Sequence, residues 1–204
     1  MTGDLSIELC GVRLRGPVLN GSGTFDAIAA LRVFGDALLE EFPFDAFVSK
    51  TITLAPRQGN PPPRLWETPA GMINSIGLPN KGLEGFLRED LPKLAELPVP
   101  LCVSVMGFSR DELAGLVKQV AVREEVALIE LNFSCPNVET GLIMGADPDE
   151  TARTVGVWSA SPLLSPARSP TRRHSDTASS TCSFGSRSRF DRTTITGNGS
   201  NPAP

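Results

Sequence analysis

Nowhere do the 204 residues hold an apolar run of the roughly 18 to 20 residues that crosses a bilayer. The start, Met1-Thr2-Gly3-Asp4, lacks the basic flank and apolar centre of a secretory signal. No membrane association is expected, and a cytoplasmic location follows as the default. Cysteine is scarce, and Cys10, Cys102, Cys135 and Cys182 show neither Cys-x-x-Cys nor zinc-type spacing. A disulfide framework and a metal site are therefore not expected, and reduced thiols are the simpler reading. Excess positive charge is missing too: the net charge of -4 argues against general nucleic-acid affinity. What is present, 40% hydrophobic and 21% charged residues, suits one soluble globular domain with a sizeable core.

The absences are unevenly placed. All the lysines lie before Thr154, in blocks that alternate short apolar runs with amphipathic stretches, and residues 1-154 are expected to fold. Residues 155-204 contain no Lys and no Glu, are dominated by Ser, Thr, Pro and Arg, and keep no apolar period. Such a segment cannot bury enough surface to offset a chain entropy of about 1 to 2 kcal/mol per ordered residue, so a disordered tail is predicted.

The first region repeats a strand-then-helix unit, the mark of a parallel α/β sheet, and about four units can be counted. The predicted strands are Pro17 to Asn20, Ala46 to Lys50, Leu101 to Val105 and Ala127 to Asn132. The predicted helices run from Asp26 to Leu39, from Leu83 to Leu97, from Ser109 onward and from Asp147 onward. Ser109 and Glu112 form a capping box, while Asp147-Pro148-Asp149-Glu150 carries a capping Asp with Pro at the first helical position. Ahead of them, Ser6 to Leu9 and Val12 to Leu14 read as a hairpin through Cys10-Gly11 that could plug one end of a barrel.

In parallel α/β folds the chemistry sits in the loops that follow the strands. The first loop, Asn20-Gly21-Ser22-Gly23-Thr24, is built of small residues whose amides could approach a planar or anionic ligand, though alone it also fits a plain tight turn. The second strand ends in Lys50-Thr51, at the mouth of such a site. A long insertion follows, holding Gly59-Asn60-Pro61-Pro62-Pro63-Arg64 and Asn74-Ser75-Ile76-Gly77-Leu78-Pro79-Asn80. Loops beyond about 12 to 15 residues are functional or disordered, and this one carries ordered turn chemistry. The fourth strand ends in Asn132-Phe133-Ser134-Cys135-Pro136-Asn137, two asparagines flanking a thiol. Amides of that kind can hold a polar ring, and a thiol there can take a proton; a buried structural cysteine is the alternative.

Lys50-Thr51, the Gly-Asn-Pro-x-Pro-Arg stretch, the Asn74 to Asn80 segment and the Asn132 to Asn137 segment, in this order and spacing, resemble class 1 dihydroorotate dehydrogenases. The likeness covers about Leu5 to Thr154, the first half of that family's (β/α)8 TIM barrel. Glu67-Thr68-x-x-Gly71-Met72 and Asn137-Val138-x-Thr140-Gly141 resemble the 1B subclass, whose catalytic subunit works with an iron-sulfur, FAD-containing electron-transfer subunit and passes electrons to NAD.

The resemblance implies a cytoplasmic flavoprotein of pyrimidine biosynthesis, an oxidoreductase converting dihydroorotate to orotate with FMN as cofactor, homo-oligomeric in the family. It implies Cys135 as the catalytic base. It assigns Lys50, Asn74, Asn132 and Asn137 to the substrate ring and the segment Ser75-Ile76-Gly77-Leu78 to its carboxylate. Ser22, Lys50, Thr51, Ser104 and Asn132 fall where the family contacts FMN. The family's later strands, with a further lysine and the FMN phosphate loops, have no counterpart in the 204 residues. The chain alone is therefore expected not to turn dihydroorotate over, and the tail reads as unrelated or out-of-frame sequence. Two other readings stay open: a dihydropyrimidine dehydrogenase-like flavin enzyme, which shares the Asn-x-x-Cys-Pro-Asn type of loop, and a non-catalytic half-barrel that serves interaction.

Overall fold

The computed structural model describes residues 3–134, 145 and 148–159. It opens with an antiparallel hairpin, β1 (Ile7–Leu9) and β2 (Val12–Leu14). Its turn residues Cys10 and Gly11 have φ of 48° and 79°. Positive φ at both central residues is what a tight hairpin turn requires for its twist to match the strands.

The next segment shows how single residues punctuate the chain. Asp26 caps α1 (Ala27–Phe34), its side chain accepting from the Ala29 N–H at 2.9 Å. The helix expected to run on to Leu39 instead stops at Gly35, which takes φ 55° and donates its N–H to the Leu31 carbonyl. A second short helix, α2 (Asp36–Glu40), restarts behind it. After β3 (Phe47–Val48), the insertion anticipated as a loop contains an antiparallel hairpin, β4 (Leu65–Thr68) and β5 (Gly71–Asn74). The helix expected from Leu83 to Leu97 is three pieces: α3 (Gly82–Gly85), a π-helical turn (Phe86–Asp90) and α4 (Leu91–Leu94). Pro92 explains the widening, because a proline inside a helix has no N–H to give and its ring crowds the preceding turn.

The remaining elements follow expectation closely. They are β6 (Leu101–Val105), α5 (Arg110–Ala121), β7 (Val126–Leu131) and α6 (Pro148–Ser159). Ser109 caps α5 by accepting from the Glu112 N–H at 3.2 Å, while the Glu112 carboxylate reaches back one residue further than a standard box, to the Phe108 N–H. Helix α6 continues through Val155 to Ser159, past the expected domain boundary at Thr154. The rest of the predicted tail, residues 160–204, lies outside the described residues.

Strands β3, β6 and β7 form one parallel sheet in that order, and a parallel bridge between Leu19 and Ala46 adds the first predicted strand at its side as a single contact. Neighbours in space are thus neighbours in sequence, as in an arc of a (β/α) barrel. Along β6 the side chains alternate. Leu101, Val103 and Val105 point to the helices and join Phe47, Phe86, Leu94, Leu113, Leu116 and Val120 in the main core. Phe25, Phe42, Phe44 and Phe47 close one end of it edge to face, with centroids 5.4 to 6.4 Å apart. Each fully buried Leu, Val or Phe there contributes about 1.5 to 3 kcal/mol.

The other face carries Cys102 and Ser104, matched across β7 by Leu128 and Glu130. That match depends on a register shift: Leu101 pairs with Val126, but Cys102 pairs with Leu128, so Ala127 is an extra residue. A one-residue slip exchanges the two faces of a strand, and this bulge brings Glu130 opposite Ser104. A second offset lies between Val48, paired with Cys102, and Ile52, bridged to Val105, and it re-aims Lys50 and Thr51. Among the described residues, the outer edge of β7 has no strand beside it, and no helix is long and apolar enough to cross a membrane.

Candidate active site

At the carboxyl side of this sheet, polar side chains from the ends of the strands and the loops that follow them meet on its inner face. Thr51, which is fully buried, is the junction. Its Oγ1 lies 2.9 Å from Ser22 Oγ, 2.9 Å from Ser104 Oγ and 2.9 Å from Asn132 Nδ2. Ser22 also donates to the Ser49 carbonyl at 2.8 Å, and Ser104 donates to Glu130 Oε1 at 2.7 Å. Residues from all four βα units therefore share one hydrogen-bonded network. Burying polar groups costs free energy unless they are paired, so this network holds the four strand ends in register. Below it, Asn20 ties the first strand to the second through both amide atoms, which bond the Val48 N–H and carbonyl at 2.8 Å each.

Lys50 approaches the first loop. A Cβ on Gly23 would stand 2.8 Å from the Lys50 Nζ, and Gly23 has φ 74°, so only glycine suits both the turn and the close approach. No hydrogen bond or ion pair links the Lys50 ammonium to any described residue, whereas Lys81 on the surface bonds Asp90 at 2.6 Å and Glu89 at 3.2 Å. Lys50 thus stands at the mouth of the site without an ion pair or hydrogen bond to its ammonium among the described residues.

A second group forms around the insertion. Asn60 bonds Ser75 Oγ at 2.7 Å, its N–H reaches the Ile76 carbonyl at 3.1 Å, and Arg64 bonds back to the Asn60 carbonyl. Gly77 (φ 77°) and Leu78 (φ 53°) are consecutive left-handed residues, and a Cβ on Gly77 would lie 2.5 Å from the Asn60 nitrogen. The N–H groups of buried Gly77 and Leu78 have no acceptor among the described residues. Asn80 anchors the end of the segment: its Oδ1 accepts from the Gly82 N–H at 2.8 Å and the Thr53 N–H at 3.2 Å, two residues beyond Thr51.

Of the residues singled out in the sequence, Ser22, Thr51, Ser104 and Asn132 come together directly, with Lys50 beside the first loop. Ser75, Ile76, Gly77 and Leu78 form the second group, and Asn74 is exposed at the end of β5 without a side-chain bond to either. Cys135 and Asn137 lie outside the described residues. Glu130 was not foreseen. Its signal was a carboxylate in an otherwise apolar strand, two residues before Asn132 and so on the same face. The described inner-face thiol, Cys102, is pushed up to about 12 by burial and then by the Glu130 carboxylate, so it stays protonated and inert. A cavity of about 670 Å³ lies against Ser22, Glu130, Asn132 and Ser134.

The dihydroorotate dehydrogenase family profile matches residues 4–165. The chain is 42% identical over 156 residues to the "Dihydroorotate dehydrogenase B (NAD(+)), catalytic subunit" of Geotalea daltonii, covering 76% of the chain and 50% of that protein. It is 42% identical over 154 residues to the protein so named from Desulforudis audaxviator, covering 74% and 48%. The Pelobacter propionicus protein of the same name is 43% identical over 150 residues, covering 72% and 48%. The chain spans about half the length of these curated relatives. Among solved structures, it superposes on DHODH from Eimeria tenella in complex with ferulenol with a TM-score of 0.58 at 22% identity, covering 75% of this chain and 42% of that one. That likeness identifies the fold as part of the TIM barrel.

Proposed function

The chain belongs to the dihydroorotate dehydrogenase family, and from that premise we propose that its inner face is the first part of a flavin site at which dihydroorotate is oxidised to orotate. The observation that carries this reading is the convergence of Ser22, Thr51, Ser104 and Asn132 on one network beside an uncommitted Lys50 ammonium. Those groups fit FMN: a planar polar ring needs hydrogen-bonding atoms of both senses, and Ser22 and Asn132 line the cavity. When bound, FMN supplies the hydride-accepting centre.

The chain's own residues bind, orient and deprotonate. Lys50 attracts an anionic substrate, and the free N–H groups of Gly77 and Leu78 suit a carboxylate. That pairing favours orotate over uncharged pyrimidines. Asn74, Asn132 and Asn137 are the amides assigned to the substrate ring, and Cys135 is assigned as base for the ring carbon. A thiol serves that role when its proton leaves in concert with the hydride or when its pKa is drawn down from about 8.5. Delivery of electrons to NAD through an iron-sulfur, FAD-containing subunit in the cytoplasm is the matching expectation for the B-type relatives.

Residues 1–154 form the barrel portion in this proposal. Titration of the 204-residue chain with FMN, orotate and uracil tests the reading. We expect only weak FMN quenching, because the loops that hold its phosphate have no counterpart in the 204 residues, together with orotate binding that the Lys50→Ala variant weakens about tenfold or more, and no uracil binding. Equal affinity for orotate and uracil, or an unaffected Lys50→Ala variant, would overturn it.

A further inference from the structure

We infer that Glu130 is a positioning residue that sets the direction of every proton in the inner-face network, leaving Ser22 as a free acceptor and Asn132 as a free donor toward the ligand. The inference rests on the flavin site proposed above. The direction is fixed from both ends. At one end, the backbone N–H of Ser134 points at an Asn132 side-chain atom at 3.1 Å, and the Ser134 hydroxyl lies 3.0 Å from the same atom. A backbone N–H can only donate, so that atom is the amide oxygen, and the atom facing Thr51 is the nitrogen.

At the other end, Glu130 accepts from Ser104 at 2.7 Å, and a carboxylate offers no proton in return. The single hydroxyl proton of Ser104 is thereby committed. The 2.9 Å contact between Thr51 and Ser104 must then use the Thr51 proton, and the Asn132 amide donates into Thr51. The run is Ser134 N–H, Asn132, Thr51, Ser104, Glu130, each donating to the next.

Ser22 is left at the branch. Thr51 has no proton to give it, so the single Ser22 proton is shared between the Ser49 carbonyl at 2.8 Å and Thr51 Oγ1 at 2.9 Å, and the Ser22 oxygen keeps its lone pairs. One N–H of Asn132 bonds Thr51, and the second has no acceptor among the described residues. Ser22 and Asn132 both line the cavity. Together they present one acceptor and one donor, the complement of a heterocycle edge with an N–H and a carbonyl, which flavin and pyrimidine rings both carry.

A glutamine at 130 would keep size and shape but could donate to Ser104. Ser104 would then donate to Thr51, and Thr51 to Ser22, which would fill the acceptor meant for the ligand. The charge of Glu130, not its volume, thus selects the direction.

The test uses the full 204-residue chain with nitrogen-15 labelling, in wild-type, Glu130→Gln, Glu130→Asp and Ser104→Ala forms. The Asn132 side-chain amide resonances, assigned by their loss in Asn132→Asp, report the network without any cofactor. Glu130→Gln and Ser104→Ala are expected to shift those resonances in the same way, and Glu130→Asp to retain most of the wild-type position. FMN affinity should fall roughly tenfold in Glu130→Gln, recover in Glu130→Asp, and fall no further when Ser104→Ala is added to Glu130→Gln. Unmoved Asn132 resonances in a folded Glu130→Gln chain, or additive losses in the double variant, would overturn the inference. Absence of FMN binding by the wild-type chain would instead overturn the flavin site, with the amide resonances still deciding the role of Glu130.

Discussion

Strand β6 serves two masters, and its two faces differ as much as any two regions of the molecule. Leu101, Val103 and Val105 face the helices in a continuous apolar core, whereas Cys102 and Ser104, one residue out of phase, face a bonded polar layer. The outer face is non-directional, and its worth scales with area removed from water. The inner face is directional and depends on which atom donates. Stability and recognition are thus separated by a single step along the chain, and variants of the two faces should separate them too.

The largest effect is expected on the outer face. Leu116 is completely buried against the sheet, and Leu116→Ala should cost about 2 to 5 kcal/mol in urea unfolding through the lost contacts and the cavity left behind. A cost below about 1 kcal/mol would show that α5 contributes little to the fold. Next is the inner-face thiol. Cys102 is raised from 9.0 to about 12, so the native state holds its proton when the unfolded chain has released it. Its contribution is complete below pH 9.0 and is lost as pH rises toward about 12, with a slope approaching about 1.4 kcal/mol per pH unit within that window. Urea midpoints at pH 8 and pH 10.5 should therefore diverge more for the wild-type chain than for Cys102→Ala. The smallest effect is local: Ser109→Ala removes the α5 cap and should cost about 1 kcal/mol, read by thermal unfolding.

Much of this division was legible in the sequence, for identifiable reasons. Leu101 to Val105 was bounded correctly because a strand buried on both faces reads as an unbroken run of small and branched residues. The start of α5 was legible because its cap is a local bond between Ser109 and Glu112. Gly35 and Pro92 were visible as residues, yet apolar periodicity runs through both and hides the breaks they cause. The hairpin of β4 and β5 was missed because its large apolar residues, Leu65, Trp66, Met72 and Ile73, are exposed rather than alternating in and out of a core.

The inner face divides similarly. Ser22, Thr51, Ser104 and Asn132 were assigned together through family resemblance, since one bond of their meeting joins residues 81 positions apart. Glu130 escaped because its role exists only once the bulge at Ala127 has shifted the register, and no local pattern announces that shift.

The order of the sheet bears on how the chain is made. Synthesis delivers strands one at a time, and here each arriving strand finds its hydrogen-bonding neighbour already emerged: Leu19 beside Ala46, β3 beside β6, β6 beside β7. Among the described residues no strand of this sheet waits for a partner still to be made, and α5 packs on β6, the strand just before it. The fold can therefore grow by accretion at the ribosome, unit upon unit, with the edge of the latest strand serving as the template for the next.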